Sequence, residues 1–101
     1  MKTAITETTR SPVEAPNARI QRWHVAFSAV IVERREALER SRHEVCTRSK
    51  IGRNYLIEYE SGRKLPTLPA LSDLALALDW DTGELIAQVE ARVFATPPDA
   101  A

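Results

Sequence analysis

Apolar side chains recur at helical spacing along most of this chain, and no stretch alternates apolar and polar residues over more than a few positions. The longest such pattern begins after Asn17, a candidate N-cap, and repeats apolar residues at intervals of three, four and seven as far as Glu39. Its apolar positions are Ile20, Trp23, Phe27, Val30, Ile31 and Leu38. This pattern predicts a long helix over about residues 18–39 with one buried face.

Capping and stop signals divide the following residues into four shorter helices. An S-x-x-E motif at Ser41 and a D-x-x-E motif at Asp81 match the capping box, in which the first side chain accepts from a backbone amide and the acid reaches back. Gly62 with Pro66 stops the third helix, and Pro97 stops the fifth. The predicted helices cover about residues 42–49, 52–60, 68–78 and 82–94. The predicted fold is therefore all-α, with five helices of which the first and last are extended.

Each of the shorter helices has an apolar face that we expect to line one shared core. The expected inward residues are Val45, Cys46, Leu56, Tyr59, Leu68, Leu71, Leu74, Ala75, Leu78, Leu85, Ile86, Val89 and Val93. At 101 residues the chain is long enough for one such core. We therefore expect a flexible arm at residues 1–17, one domain at 18–94 and a tail at 95–101.

The composition is that of a globular protein. Hydrophobic residues make up 44% of the chain and charged residues 28%. The single cysteine excludes an internal disulfide and fits a reducing compartment, so a cytoplasmic location is expected. There is no apolar run of the roughly 18 residues needed for a membrane span, and the polar amino terminus does not resemble a signal peptide.

The net charge is zero, but the charges are unevenly distributed along the chain. Residues 40–64 contain seven basic and three acidic side chains, a net charge of +4. Residues 65–101 contain one basic and six acidic side chains, a net charge of −5. A basic block of this kind indicates a nucleic-acid-binding surface. The alternative is a solvated surface on which charges cluster by chance.

The basic block includes most of the stretch IGRNYLIEYESGRKLP at residues 51–66, which contains the third predicted helix. The face of this helix opposite its apolar residues carries Arg53, Asn54 and Glu58. Arginine and asparagine match the hydrogen-bonding edges of guanine and adenine in a DNA major groove. An ordinary solvated helix face carries similar residues, so the surrounding sequence has to distinguish the two interpretations.

The surrounding stretches are REALERSRHEV at residues 35–45 and TLPALSDLALALDWDTGELI at residues 67–86. Together with residues 51–66 they resemble the Cro/CI-repressor-like (XRE) family of helix-turn-helix DNA-binding domains. The most specific part is an apolar helix ending in glutamate, followed by x-G-[RK]-x-x-P and by L-x-x-[LI]-A-x-A-L. The resemblance implies a five-helix, lambda-repressor-like fold whose third helix enters the major groove of double-stranded DNA.

The resemblance also implies roles for individual residues. Residues that would read bases are Arg53, Asn54 and Glu58. Residues that would contact the DNA backbone are Arg42, Lys50, Gly52, Tyr55, Arg63 and Lys64. Residues that would form an ion pair between the first and third helices are Arg35 and Glu60. Two alternatives stay open: Glu58 orients Arg53 or Asn54, and Arg63 with Lys64 complements the helix dipole.

Three residues depart from the family pattern. Lys50 stands where the family often has glycine, so a left-handed backbone there would cost about 1 kcal/mol. Arg34 and Arg40 stand where the family usually has apolar residues. Their aliphatic stems are therefore expected to lie along the core with the charged heads outward.

A homodimer is expected, because two such domains about a dyad read a longer DNA site than one. The candidate interface residues are Val89, Val93, Phe94 and Trp23, with Ile20. The alternative is that these side chains close the core of a monomer.

The predicted function is a small dimeric repressor. Its two rivals are an antitoxin that binds its own operator and a toxin partner, and a protein-interaction module that reuses the fold.

No catalytic or metal chemistry is predicted. His43 and Cys46 have helical ligand spacing, but no third or fourth ligand lies near them in the sequence, so Cys46 is expected in the core. His24 is expected at the surface or in a groove. The chain has no recognisable nucleophile–base set and no glycine-rich phosphate loop, so neither an enzyme nor a cofactor is expected.

Overall fold

The computed structural model describes residues 16–95, and these residues form five α-helices and no strand. The helices are α1 (Pro16–Ala37), α2 (Arg42–Ser49), α3 (Arg53–Glu60), α4 (Leu68–Ala77) and α5 (Thr82–Ala95). The predicted all-α, five-helix fold is confirmed. The expected arm, up to residue 15, and the tail with its stop at Pro97 lie outside the described residues.

The first helix begins and ends about two residues earlier than the sequence predicts. Because α1 begins at Pro16, Asn17 lies inside the helix and is not its N-cap. Proline suits this first position, since the amide hydrogen that it lacks would have no partner inside the helix. The helix ends at Ala37 because Glu39 adopts a left-handed conformation, with φ of 56°.

One hydrophobic core joins the five helices. α1 packs against α3 and α5, and α4 packs against α2 and α5. The most deeply buried large side chains are Ile31, Val45, Leu56, Leu74, Leu78 and Leu85. Each such side chain contributes about 1.5–3 kcal/mol by leaving water. The core therefore fixes α3 from behind and leaves its opposite face in solvent.

Two apolar residues that were expected to face inward are exposed instead. Ile20 is 51% exposed and Leu68 is 72% exposed. Both lie in the early turns of their helices, where burial has not yet begun. The first residues of these faces to pack against the core are Trp23 in α1 and Leu71 in α4.

Both predicted capping boxes form. Ser41 Oγ accepts from the Glu44 amide at 3.1 Å, and the Glu44 carboxylate accepts from the Ser41 amide at 2.8 Å. Asp81 and Glu84 make the same two bonds at 2.7 and 2.9 Å. The hydroxyl of Thr67 caps α4. Each cap stabilises its helix by about 1 kcal/mol and fixes where the helix begins.

Each of the first four helices is followed, within two residues, by a residue of left-handed conformation, and only one of these residues is glycine. The residues and their φ angles are Glu39 (56°), Lys50 (62°), Gly62 (80°) and Asp79 (60°). After three of them, the next amide returns to a carbonyl five residues earlier, which defines a Schellman turn. These bonds are Arg40 to Arg35 (3.0 Å), Arg63 to Glu58 (3.0 Å) and Trp80 to Ala75 (2.9 Å). Lys50 is thus left-handed, and the cost of about 1 kcal/mol applies there.

Arg34 and Arg40, the two unusual arginines, hold the carboxyl end of α4. Arg34 Nε donates to the Leu78 carbonyl at 2.8 Å, and Arg40 Nη1 donates to the Ala77 carbonyl at 2.8 Å. Arg40 also pairs with the Asp79 carboxylate at 3.0 Å. Cations at a helix carboxyl end satisfy its last carbonyls and complement the helix dipole. The charged heads therefore point to a helix end and not simply to solvent.

Candidate nucleic-acid interface

The turn between α2 and α3 is short and is held by one buried serine. Ser49 is 3% exposed, and its Oγ donates to the Val45 carbonyl at 2.7 Å. The same oxygen accepts from the Ile51 amide at 3.2 Å. The Lys50 amide donates to the Cys46 carbonyl at 2.7 Å, so the chain reverses in the left-handed Lys50 residue. Sequence reasoning missed Ser49, because a serine next to a helix end has many possible partners.

The first turn of α3 presents its polar residues to solvent. Gly52 is the N-cap and provides no side-chain hydrogen bond to the first amides. Arg53 and Asn54 follow it directly and are exposed. Among residues 16–95, no protein hydrogen bond or ion pair engages either side chain. The open amides and the partial positive charge of this helix end favour a negatively charged ligand.

The second turn of α3 forms a polar recess with the segment that follows the helix. Asn54, Tyr55, Glu58 and Lys64 line this recess, which has a volume of about 270 Å³. Lys64 Nζ lies 5.5 Å from the centre of the Tyr55 ring. The Glu58 carboxylate lies 3.7 Å from the Arg63 guanidinium. The structure therefore brings Glu58 to Arg63, and not to Arg53 or Asn54 as one interpretation of the sequence expected.

A nearly buried carboxylate joins three helices behind this surface. Glu60 is 4% exposed, and its two oxygens accept from Arg35 Nε at 2.7 Å and Arg35 Nη2 at 3.1 Å. The Arg42 guanidinium, which is 48% exposed, donates through Nε to the same carboxylate at 2.7 Å. The hydrogen bond from Arg35 to Glu60 raises the pKa of Arg35 above its ordinary value. The predicted pair of Arg35 and Glu60 is thus present, and Arg42 shares it.

Two further side chains of α1 contact the carboxyl end of α3. Ser28 Oγ donates to the Glu60 carbonyl at 2.6 Å. His24 Nδ1 lies 3.1 Å from the Gly62 carbonyl. A carbonyl can only accept, so Nδ1 of this ring carries the hydrogen. The expectation that His24 lies at the surface or in a groove misses this contact, which joins residues far apart in the sequence.

The residues proposed for a dimer interface divide into buried and exposed ones. Val89 and Val93 are 5% and 3% exposed, so they belong to the core and the prediction that they form an interface is wrong. Phe94 is 66% exposed, and its ring meets Trp23 edge-on at 5.8 Å. An apolar groove of about 200 Å³ lies beside them. The misassignment arose because α5 carries apolar residues on more than the one face that packs against α1.

The cysteine is a partly buried member of the domain. Cys46 packs against the core, and its burial raises the pKa of the thiol. Within the described part of the chain, no three histidine, cysteine, aspartate or glutamate residues come together as a metal site. A search of the described helices for one long and apolar enough to cross a membrane finds none.

A capped helix, a tight turn and a short exposed helix with a basic surround define a helix-turn-helix DNA-binding domain. A family model for the helix-turn-helix matches residues 31–85, more than half of the chain, and is of the Cro/CI type. The chain therefore belongs to the Cro/CI-type (XRE) helix-turn-helix family, a family of DNA-binding proteins and not of enzymes. Comparison with curated proteins and with solved structures gives no significant match.

Proposed function

We propose that this chain is a sequence-specific transcriptional regulator that reads the major groove of DNA with residues 52–60. The observation that carries the proposal is the first turn of α3, where Arg53 and Asn54 are exposed and make no side-chain hydrogen bond or ion pair among the described residues. Family membership supports DNA as the ligand. The basic block around this turn supplies the charge that a phosphate backbone requires.

The side chains of the surface divide into base-reading and phosphate-contacting groups. Arg53 matches the O6 and N7 acceptors of guanine, and Asn54 matches the N6 and N7 groups of adenine. Glu58 is the third base-facing residue, and its carboxylate suits the N4 amino group of cytosine. The groups that contact phosphates and set the register are Arg42, Lys50, Gly52, Tyr55, Arg63 and Lys64. Arg42 reaches the backbone with its Nη groups while Glu60 holds its Nε atom.

The finer proposal is a homodimeric repressor. Two domains about a dyad place two recognition helices in successive major grooves, which doubles the length of sequence that is read. Bound at a promoter, such a dimer blocks transcription by occupying the site. Phe94, which is exposed, and Trp23, which is partly buried, are the remaining candidates for the dimer contact, since Val89 and Val93 are buried.

The main test is Arg53→Ala, measured on a half-site selected from random duplexes with the purified protein. Loss of a bidentate guanine contact costs about 1–3 kcal/mol, so affinity should fall roughly 5- to 150-fold and preference at one base pair should relax. Fluorescence anisotropy measures both effects. Arg92→Ala is the matched control, because Arg92 is a half-exposed arginine of α5 that pairs with Glu33. Unchanged affinity of the Arg53→Ala variant contradicts the base-reading role.

Arg63→Ala separates phosphate contact from base reading in the same assay. This variant should bind all duplexes more weakly, and the slope of log affinity against log salt should fall by about one. Its sequence preference should not change. If the unsubstituted protein shows no salt-dependent binding to any duplex, the protein-interaction module becomes the better interpretation.

A further inference from the structure

The segment that follows α3 is where the DNA surface and α1 meet. Residues 61–64 carry Arg63 and Lys64, the two cations assigned to phosphates, and both side chains are exposed. Backbone phosphate contacts fix how a protein is seated on a duplex, so the location of this segment matters for the reading of bases by α3. Its backbone is determined by hydrogen bonds of two kinds.

The first kind is local to the helix end. The last carbonyls of a helix have no partner within it. The Schellman turn at Gly62 supplies two partners: the Gly62 amide donates to the Tyr59 carbonyl at 3.3 Å, and the Arg63 amide donates to the Glu58 carbonyl at 3.0 Å. The Lys64 amide also lies 3.4 Å from the Glu58 carbonyl. These bonds turn the chain but do not attach it to the rest of the domain.

The second kind comes from α1. Ser28 donates to the Glu60 carbonyl at 2.6 Å and His24 donates to the Gly62 carbonyl at 3.1 Å. Residues four apart on a helix lie on the same face, so the two donors form one row along α1. This row holds the carbonyl on each side of the turn.

The turn also lies next to α1. A Cβ atom placed on Gly62 would lie 3.8 Å from the His24 carbonyl oxygen and 3.9 Å from Ser28 Cβ, which is ordinary van der Waals contact. Gly62 is therefore separated from α1 by about the width of one methyl group. Arg63 and Lys64 follow directly, so the attachment points of their side chains are fixed relative to α1 and, through the core, to α3.

We propose that His24 and Ser28 are positioning residues for DNA binding, which hold the segment at residues 61–64 so that Arg63 and Lys64 meet phosphates while α3 lies in the groove. The proposal rests on the proposed DNA-binding function. A segment that is already ordered loses less conformational entropy on binding, so phosphate contacts from it contribute more to affinity. His24 and Ser28 do not contact DNA in this arrangement.

The test is a His24→Ala and Ser28→Ala double variant, titrated with a selected duplex and an unrelated duplex over a range of salt concentrations. Binding of both duplexes at low salt should weaken by a similar factor of several-fold. The salt slope should fall by about one to two, because one or two phosphates no longer pair with a cation. The ratio of the two affinities should stay constant. His24→Gln, which retains an N–H donor, should restore most of the slope.

Two controls separate positioning from a general loss of stability. Val30→Ala shortens a buried side chain of the same helix away from residues 61–64, so it should destabilise the domain without changing the salt slope. In an Arg63→Ala and Lys64→Ala background, the changes at His24 and Ser28 should have no further effect on the slope. Each protein is measured at a temperature where circular dichroism shows it to be folded, and the single variants replace the double one if it does not fold.

Three outcomes overturn the proposal. The first is an unchanged salt slope in the folded His24 and Ser28 variants. The second is the same loss of slope with and without Arg63 and Lys64. The third is the absence of DNA binding by the unsubstituted protein, which removes the proposed function as well, whereas the first two leave that function intact.

Discussion

The carboxyl ends of α3 and α4 are built on the same backbone turn but are held by different chemistry. Each is followed after two residues by a left-handed residue, and each receives hydrogen bonds from α1 or from the residues just after α1. A hydroxyl and an imidazole reach the carbonyls at α3, whereas guanidinium groups reach them at α4. The residues are Gly62, Ser28 and His24 at α3, and Asp79, Arg34 and Arg40 at α4.

The carboxylates at these two ends show what the difference means. Glu60 at the end of α3 is 4% exposed and has two arginine partners, while Asp79 after α4 is 49% exposed and has one. A buried charge needs an oppositely charged partner, because a buried charge without one lowers the free energy of unfolding by several kcal/mol. An exposed pair is screened by water and contributes little. The conformation at the end of α3, next to the proposed DNA surface, is therefore the more strongly constrained of the two.

The largest effect is expected from Glu60→Gln, which keeps the shape of the side chain and removes its charge. Arg35 and Arg42 then lose their counter-ion, and the free energy of unfolding should fall by about 2–3 kcal/mol. This value lies below the roughly 3–5 kcal/mol expected for a fully buried pair, because Arg42 is half exposed. Urea denaturation measures the change. Glu90→Gln, at an exposed position of α5, is the control. A loss below about 1 kcal/mol contradicts the strict pairing inferred for this end.

An intermediate effect is expected from the left-handed residues themselves. Gly62→Ala should lower the free energy of unfolding by about 1 kcal/mol, because the new side chain must adopt a left-handed conformation. The nearest atoms to its Cβ lie 3.8 and 3.9 Å away, so no collision adds to this cost. Asp79→Gly relieves the same strain but gives up the pair with Arg40, so its gain should be smaller than the loss at Gly62. Thermal unfolding compares the two, and a neutral Gly62→Ala result contradicts the strain.

The smallest effect is expected from Asp79→Asn, and it depends on pH. The hydrogen bond from Arg40 holds the pKa of the Asp79 carboxyl below its ordinary value of 3.8. As the pH falls, the unfolded chain therefore binds more protons than the folded chain, and this difference lowers the free energy of unfolding. The contribution of Asp79 is complete above about pH 3.8 and is lost as the pH falls through the folded-state pKa.

Urea midpoints across that range provide the measurement. The variant should be slightly less stable than the parent at neutral pH, and the difference should vanish in acid. Asparagine tolerates the left-handed conformation, so the comparison isolates the charge. A stability difference that persists unchanged into acid contradicts an electrostatic origin.

The sequence predicts what depends on local pattern. The helical stripes, both capping boxes and the polar face of α3 follow from spacing alone, and the helix bounds differ from the expected ones by only one or two residues. The resemblance to a family added the pairing of Arg35 with Glu60. The left-handed Lys50 was anticipated only because the family often has glycine at that position.

What the sequence does not predict depends on tertiary packing. Glu39 gives no sign of a left-handed backbone, and Asp79 gives only a weak one, because glycine adopts this conformation readily and asparagine or aspartate only occasionally. The targets of Arg34 and Arg40 are backbone carbonyls more than thirty residues away, and those of His24 and Ser28 are similarly distant. A carbonyl is present at every position, so no sequence pattern marks the one that is used.

The first helix has a consequence for where the working unit of this protein begins. The family match starts at residue 31, yet Ala26, Phe27 and Val30 of α1 lie in the core. His24 and Ser28, which contact the end of α3, also precede residue 31. A fragment cut at the limits of the match would keep every predicted DNA contact but lose these core residues of α1, together with Val89 and Val93 of α5. The smallest autonomous DNA-binding piece therefore includes two or more turns of helix that family comparison alone would discard.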